Sequence, residues 1–148
     1  MANTSLTFGK VQEFLAVAEL LRRRFKVYLT LVDDSGIDCV LRLKSGCYVD
    51  VQIKARSRNA KYPYTFAGLK FAPRSDLFFI FYTEINNQIA IIPSRTLARL
   101  ASRNKSGENE GTRTFTLPKR TEGRKFLTYS RFIGDNGFNL IREYSKKH

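Results

Sequence analysis

Residues 37–55 read "IDCVLRLKSGCYVDVQIKA". Apolar and polar residues alternate on both sides of "KSG", the pattern of two antiparallel strands joined by a short turn. With the turn centred on Ser45, Leu43 faces Cys47 and Asp38 falls opposite Gln52. Directly opposed side chains lie roughly 4.5–5.5 Å apart at Cβ, so these two could share one ion. Period-two alternation gathers Asp38, Val40 and Arg42 with Tyr48, Asp50, Gln52 and Lys54 on one face. The other face sets Ile37, Cys39, Leu41 and Leu43 against Val49, Val51, Ile53 and Ala55, an apolar surface expected in the core.

Polar faces of hairpins are commonly just wet. This one, however, holds hard oxygen donors at one end. A divalent cation such as Mg²⁺ takes oxygen ligands and keeps several waters. Asp38 offers a carboxylate, Gln52 an amide oxygen, and the backbone carbonyl of Ile53 a third. Lys54 lies one pleat further along. It could hold or deprotonate an attacking water, or stabilise charge developing on a phosphate. A carboxylate from the first helix would complete such a site.

The flanking segments supply that helix and more strands. Residues 10–25, "KVQEFLAVAELLRRRF", place Val11, Phe14, Leu15, Ala18, Leu21 and Phe25 at three- and four-residue steps, which predicts a helix packing by that stripe. Strands are expected at 26–32, at "DLFFIFYTEI" and at "QIAIIP"; "LFFIFY" is apolar throughout and belongs inside the sheet. "DDSG" at 33–36 reads as a turn, 56–75 as loop-rich, and 103–112 as a polar loop. "SRTLARLASR" predicts a helix with Ser94 as its N-cap, "RTFTLP" a short strand, "KRTEGRK" an exposed segment, and "NGFNLIREYSKKH" a closing helix. The order predicts an α/β or α+β architecture with a mixed sheet, as one domain over residues 1–148.

Composition narrows the chemistry. The chain has 148 residues, and its 26 Lys plus Arg against 13 Asp plus Glu give a net charge of +13. Such a field attracts polyanions, so DNA or RNA is the leading partner. The one histidine is His148, which argues against histidine catalysis and His-containing zinc fingers. Cys39 and Cys47 are too few for a structural zinc site or a disulfide framework. No apolar run approaches the roughly 18 residues of a membrane span. The stretch "MANTSLTFGK" has no basic region followed by an apolar one, so a cytoplasmic, intracellular protein with no membrane partner is expected.

Residues 9–57, about a third of the chain, resemble the core of the PD-(D/E)XK nuclease superfamily. The pieces are Gly9-x-x-x-Glu13 on the helix, Gly36-Ile37-Asp38 entering a strand, and Gln52-Ile53-Lys54 on the hairpin's second strand. Each is weak alone; together, in that order and on those elements, they are specific. The departure is Gln52, where most members carry an acid. It is similar to the glutamine variants of small single-domain members, including intron-encoded homing endonucleases. The resemblance implies a restriction-endonuclease-like α/β core, with a mixed central β-sheet flanked by helices. It implies Mg²⁺-dependent hydrolysis of DNA phosphodiesters, with Mn²⁺ as a substitute. Asp38 would be the principal metal ligand, Gln52 the second, Glu13 a ligand or its neighbour, and Lys54 the cation that positions water. Glu13 and Glu19 flank the apolar stripe, so geometry does not choose between them; the family spacing favours Glu13. Asp50 receives no role from the resemblance and is expected to be solvated or to touch a ligand.

From Lys54 to Arg74 there are six cations and no acid, with aromatics interleaved. Arg56, Arg58, Lys61, Tyr62, Tyr64, Lys70 and Arg74 are the candidate nucleic-acid contacts, the cations on phosphates and the tyrosines on bases or core. Phe66 and Phe71 are expected in the core. Arg113, Lys119, Arg120, Arg124, Lys125 and Arg131 could form a second wall. The reading is a metal-dependent endonuclease on double-stranded DNA, acting as a homo-oligomer by analogy. The alternative is a catalytically weakened nucleic-acid-binding module on a nuclease-like fold.

Overall fold

The computed structural model describes residues 4–32, 35–119 and 123–148. Asp33 and Asp34 of the expected turn lie outside them, as does Arg120 of the second basic region.

The chain opens with helix α1 (Thr4–Arg22) and strands β1 (Lys26–Leu29), β2 (Cys39–Arg42) and β3 (Tyr48–Arg56). Next come β4 (Thr65–Leu69), β5 (Leu77–Thr83) and β6 (Gln88–Pro93), then α2 (Ser94–Leu100), β7 (Ser102–Arg103) and β8 (Arg113–Thr116). Helices α3 (Arg124–Tyr129) and α4 (Asp135–Lys147) finish it. Five strands form a mixed sheet in the order β1-β2-β3-β5-β6, and β4-β8-β7 form a second, smaller one. All neighbours in the larger sheet are antiparallel except β3 and β5, which run parallel.

The β2–β3 hairpin takes the register expected from its turn. Val40 faces Asp50, Leu41 faces Val49, and the Leu43 N–H donates to the Cys47 carbonyl at 2.8 Å. Cys39, Leu41, Leu43, Val49 and Val51 are buried on one side of the sheet with Val17 and Leu20 of α1 and Phe138 and Ile141 of α4. Phe79 and Phe81 point to the other side, into a second core with Phe66, Leu97, Phe115 and Leu117. Strand β5 therefore lies between two cores. That is why "LFFIFY" shows no alternation.

Four expectations are corrected. The stripe of α1 expected to pack instead faces outward: Val11, Phe14, Leu15, Ala18 and Leu21 are exposed, while Ala16, Val17 and Leu20 are buried. This helix is apolar on both faces, so periodicity cannot choose the buried one. The turn chooses it: Arg24 adopts a left-handed conformation (φ 68°), and the Phe25 N–H donates to the Leu20 carbonyl at 3.0 Å. That reversal lays the narrower Ala16–Leu20 face on the sheet, where full burial of Leu20 contributes about 1.5–3 kcal/mol. Phe25, as expected, packs against the core.

Secondly, the stretch 56–75 contains β4, whose pairing with β8 roofs the second core. Thirdly, Ser94 does not cap α2: Pro93 holds that position, and the buried Ser94 hydroxyl donates to the Arg74 carbonyl (2.7 Å) and accepts from the Arg74 N–H (2.9 Å). Finally, Ile37 packs against the second core rather than beside Cys39, because the strand alternation has not begun there.

Candidate active site

Strands β2 and β3 part company at Asp38. The β2 ladder ends at Cys39, opposite Val51. One residue earlier, the Asp38 N–H still donates to the Val51 carbonyl at 2.9 Å. At the next step the side chain replaces the main chain: Asp38 Oδ2 accepts the Ile53 N–H at 2.6 Å. A strand residue's N–H and C=O point to the same side. The Ile53 carbonyl is thus directed into the same gap as the Asp38 carboxylate.

Gln52 lies on the opposite pleat. The sequence suggested a wet face, but only 8% of Gln52 is exposed. The reason is Gly36, whose backbone runs directly over the amide. A Cβ added there would meet Gln52 Nε2 at 2.8 Å, and Gly36 also needs a φ of +73°, which favours glycine. Lys54, half-buried on the same side as Gln52, sits beside Phe81 of β5 and forms no ion pair among the described residues.

Glu13 approaches from α1. Its side chain is 22% exposed and pairs with Lys10 at 3.1 Å. It lies near enough to the buried Cys39 thiol to affect it. Burial first, then the negative fields of Asp38, Glu13 and Asp50, push Cys39 up to about 12. Glu19 points elsewhere, bonding Arg23 (2.7 Å) and Arg22 (3.2 Å), and Arg23 continues to Asp135 of α4 (2.7 Å). The fold thus separates the two glutamates that sequence geometry left equivalent.

These residues supply two carboxylates, an amide oxygen and a backbone carbonyl, a hard donor set that suits Mg²⁺ or Mn²⁺. Among the described residues no three His, Cys, Asp or Glu side chains gather into a metal cluster. The set therefore carries at most two negative charges. Beyond Lys54 a cavity of about 550 Å³ opens between the first turns of α1 (Thr4, Phe8, Gly9) and Ala55 and Arg56 at the end of β3.

The candidate nucleic-acid residues divide. Lys61, Tyr62 and Lys70 are exposed, with Tyr62 at 62%. Arg58 is exposed but leans on Glu84, which accepts its N–H at 2.9 Å. Tyr64 is half-buried against the second core, and Arg56 Nε donates to the Thr65 carbonyl at 2.8 Å. Arg74 bonds Asp50 on β3 and Asp76 at 2.7 Å, so Asp50 is held in an ion pair while its side chain stays partly solvated. Phe66 is buried, and Phe71 packs on Phe79 with ring centres 4.8 Å apart. In the second region Lys119, Arg124, Lys125 and Arg131 are exposed, and Arg113 donates to the Ala98 carbonyl at 3.1 Å.

Two roles with bearing on the site were not read from sequence. One is Gly36 as the cover of Gln52; the other is Thr30, whose hydroxyl reaches the corner before Asp38. Thr30 lies in a stretch that reads only as strand, and nothing local marks it.

No family model matches the chain, and no curated protein matches it. Among solved structures it is similar to the bacterial homing endonuclease I-Ssp6803I, with a TM-score of 0.68 and 16% sequence identity over 99% of this chain and 98% of that one. The likeness concerns the course of the chain. With its mixed five-strand sheet and flanking helices, this protein has the restriction-endonuclease-like fold.

Proposed function

We propose that the protein is a metal-dependent endonuclease that hydrolyses phosphodiester bonds of double-stranded DNA. The observation that carries this reading is the Asp38 Oδ2 bond to the Ile53 N–H. It turns a carboxylate and the Ile53 carbonyl into one gap, with Gln52 and Lys54 on the adjoining pleat. The similarity in fold to a bacterial homing endonuclease supports it, as does the net charge of +13.

In this reading Asp38, Gln52, the Ile53 carbonyl and Glu13 hold a Mg²⁺ ion, for which Mn²⁺ can substitute. When bound, the cation makes water a nucleophile near neutral pH and offsets charge on the scissile phosphate. Lys54 orients the water and stabilises the negative charge of the transition state. Lys61, Lys70 and Arg58 hold the phosphate backbone, with Arg56, Tyr62 and Tyr64 beside them, and Lys119, Arg124, Lys125 and Arg131 hold it from the other side. One site cuts one strand, so cutting both calls for a homo-oligomer.

The test is cleavage of plasmid, nicked, flap and four-way-junction DNA in Mg²⁺ and in Mn²⁺. Asp38→Ala and Lys54→Ala are expected to lose cleavage by at least about a thousandfold while duplex affinity is kept. Full cleavage in both variants would sink the proposal. A second reading, a DNA-binding module without hydrolysis, is favoured by one feature: the ligand at position 52 is neutral and buried. It is the outcome if no substrate is cut in either metal while salt-dependent binding is retained.

A further inference from the structure

We infer that Thr30 is a positioning residue for Asp38, fixing the corner from which that carboxylate enters the site; this rests on the metal-dependent reading above. The β1–β2 ladder stops at Leu29 and Cys39. Beyond it the chain passes through Gly36 and Ile37 to reach Asp38, and the Thr30 N–H makes a long bond of 3.4 Å to the Asp38 carbonyl. The Thr30 side chain takes over there. Its hydroxyl donates to the Ile37 carbonyl at 2.6 Å and lies 3.1 Å from the Asp38 carbonyl.

From the β3 side the same corner is held by the Val51 carbonyl and the Ile53 N–H. Asp38 is therefore gripped from both neighbouring strands, and on the β1 side Thr30 holds it through its hydroxyl and its more distant N–H. The Asp38 carboxyl group stands one methylene from its backbone, so a shift of the corner carries over to the ligand almost undiminished. Metal–ligand distances tolerate only about 0.2 Å. Loss of the hydroxyl should thus be read as weaker metal binding. Thr30 contacts no atom of the ligand carboxylate itself and is not a catalytic residue.

The experiment compares the wild type with Thr30→Val, which keeps the shape and removes the donor, and Thr30→Ser, which restores it. Mn²⁺ affinity is measured without DNA, by relaxation enhancement of water protons, with Asp38→Ala as the reference for loss of the site. Alongside it are measured duplex affinity in EDTA, the thermal midpoint, and the Mg²⁺ concentration giving half-maximal cleavage. Thr30→Val is expected to weaken Mn²⁺ binding about tenfold, and to raise the Mg²⁺ requirement in proportion, with duplex affinity unchanged. Thr30→Ser is expected to recover both. If Thr30→Val lowers the thermal midpoint while Mn²⁺ affinity stays at the wild-type value, or if Thr30→Ser fails to recover it, the inference is overturned. Wild-type protein whose Mn²⁺ binding is indifferent to Asp38→Ala would overturn the metal-dependent reading itself, a result distinguishable from the other two.

Discussion

Gln52 is the residue that tests the proposed chemistry most directly. As a ligand its amide would offer an oxygen but no charge, and it lies 8% exposed under Gly36. An acid at this position would add a negative ligand and tighten cation binding. The same acid would be costly to bury without the cation, since an unpaired buried charge is far more expensive than a buried amide. Gln52→Glu is therefore expected to lower the Mg²⁺ needed for half-maximal cleavage by roughly tenfold. It should also lower the thermal midpoint in EDTA, and added Mg²⁺ should restore it. A variant with an unchanged metal requirement would mean that Gln52 is no ligand. The Cys39 thiol, held neutral by burial and by the acids around it, is a core side chain rather than a nucleophile in this site.

At the scale of elements, β3 is anchored at its start by charge as well as by the burial of Val49 and Val51. Arg74 bridges Asp50 on β3 and Asp76 in the loop before β5, and Ser94 on α2 fixes its backbone. The Asp50 N–H also donates to the Asp76 carbonyl at 2.7 Å. These bonds tie β3, β5 and α2 together one pleat from Gln52. Arg74, counted from sequence among the phosphate contacts, is thereby engaged inside the fold. The two roles separate in a salt titration. Each phosphate contact removed lowers the slope of log K against log salt by about 0.9. Lys61→Ala with Lys70→Ala is expected to flatten the slope by nearly two such steps at unchanged stability. Arg74→Ala should leave the slope alone and cost about 1–2 kcal/mol in urea unfolding, a modest figure because the bridge is partly solvated. A flattened slope for Arg74→Ala would return it to the DNA surface.

The whole molecule presents two surfaces of opposite character. Exposed cations lie on the segments flanking β4, at Arg58, Lys61 and Lys70, and on α3, at Arg124 and Lys125. The outward face of α1 shows Val11, Phe14, Leu15 and Leu21, each about half exposed. Contiguous apolar surface of this kind usually marks a contact with another protein. If the homo-oligomer needed to cut a duplex uses it, light scattering should give a multiple of the single-chain mass. Phe14→Lys with Leu15→Lys should then return one chain's mass and slow the second-strand cut relative to the first. A wild type with the mass of one chain would remove the homo-oligomer from the proposal.

Read alone, residues 37–55 determined the hairpin, its register and the meeting of Asp38 with the strand that carries Gln52 and Lys54, because alternation and turn length act over a few neighbours. The same locality made β5 legible as an interior strand. What needed the tertiary structure was anything set by a distant element. Which face of α1 is buried follows from a left-handed turn at Arg24, not from periodicity, since both faces are apolar. Only with that phase does Glu13 come near Cys39, while Arg23, the i+4 partner of Glu19, reaches Asp135 of α4. Gln52 lost its solvent because Gly36 crosses over it and a second sheet roofs the neighbouring strands. Thr30 gained a role because β1 ends where Asp38 begins. Pattern fixes which residues share a strand; only packing decides what covers them.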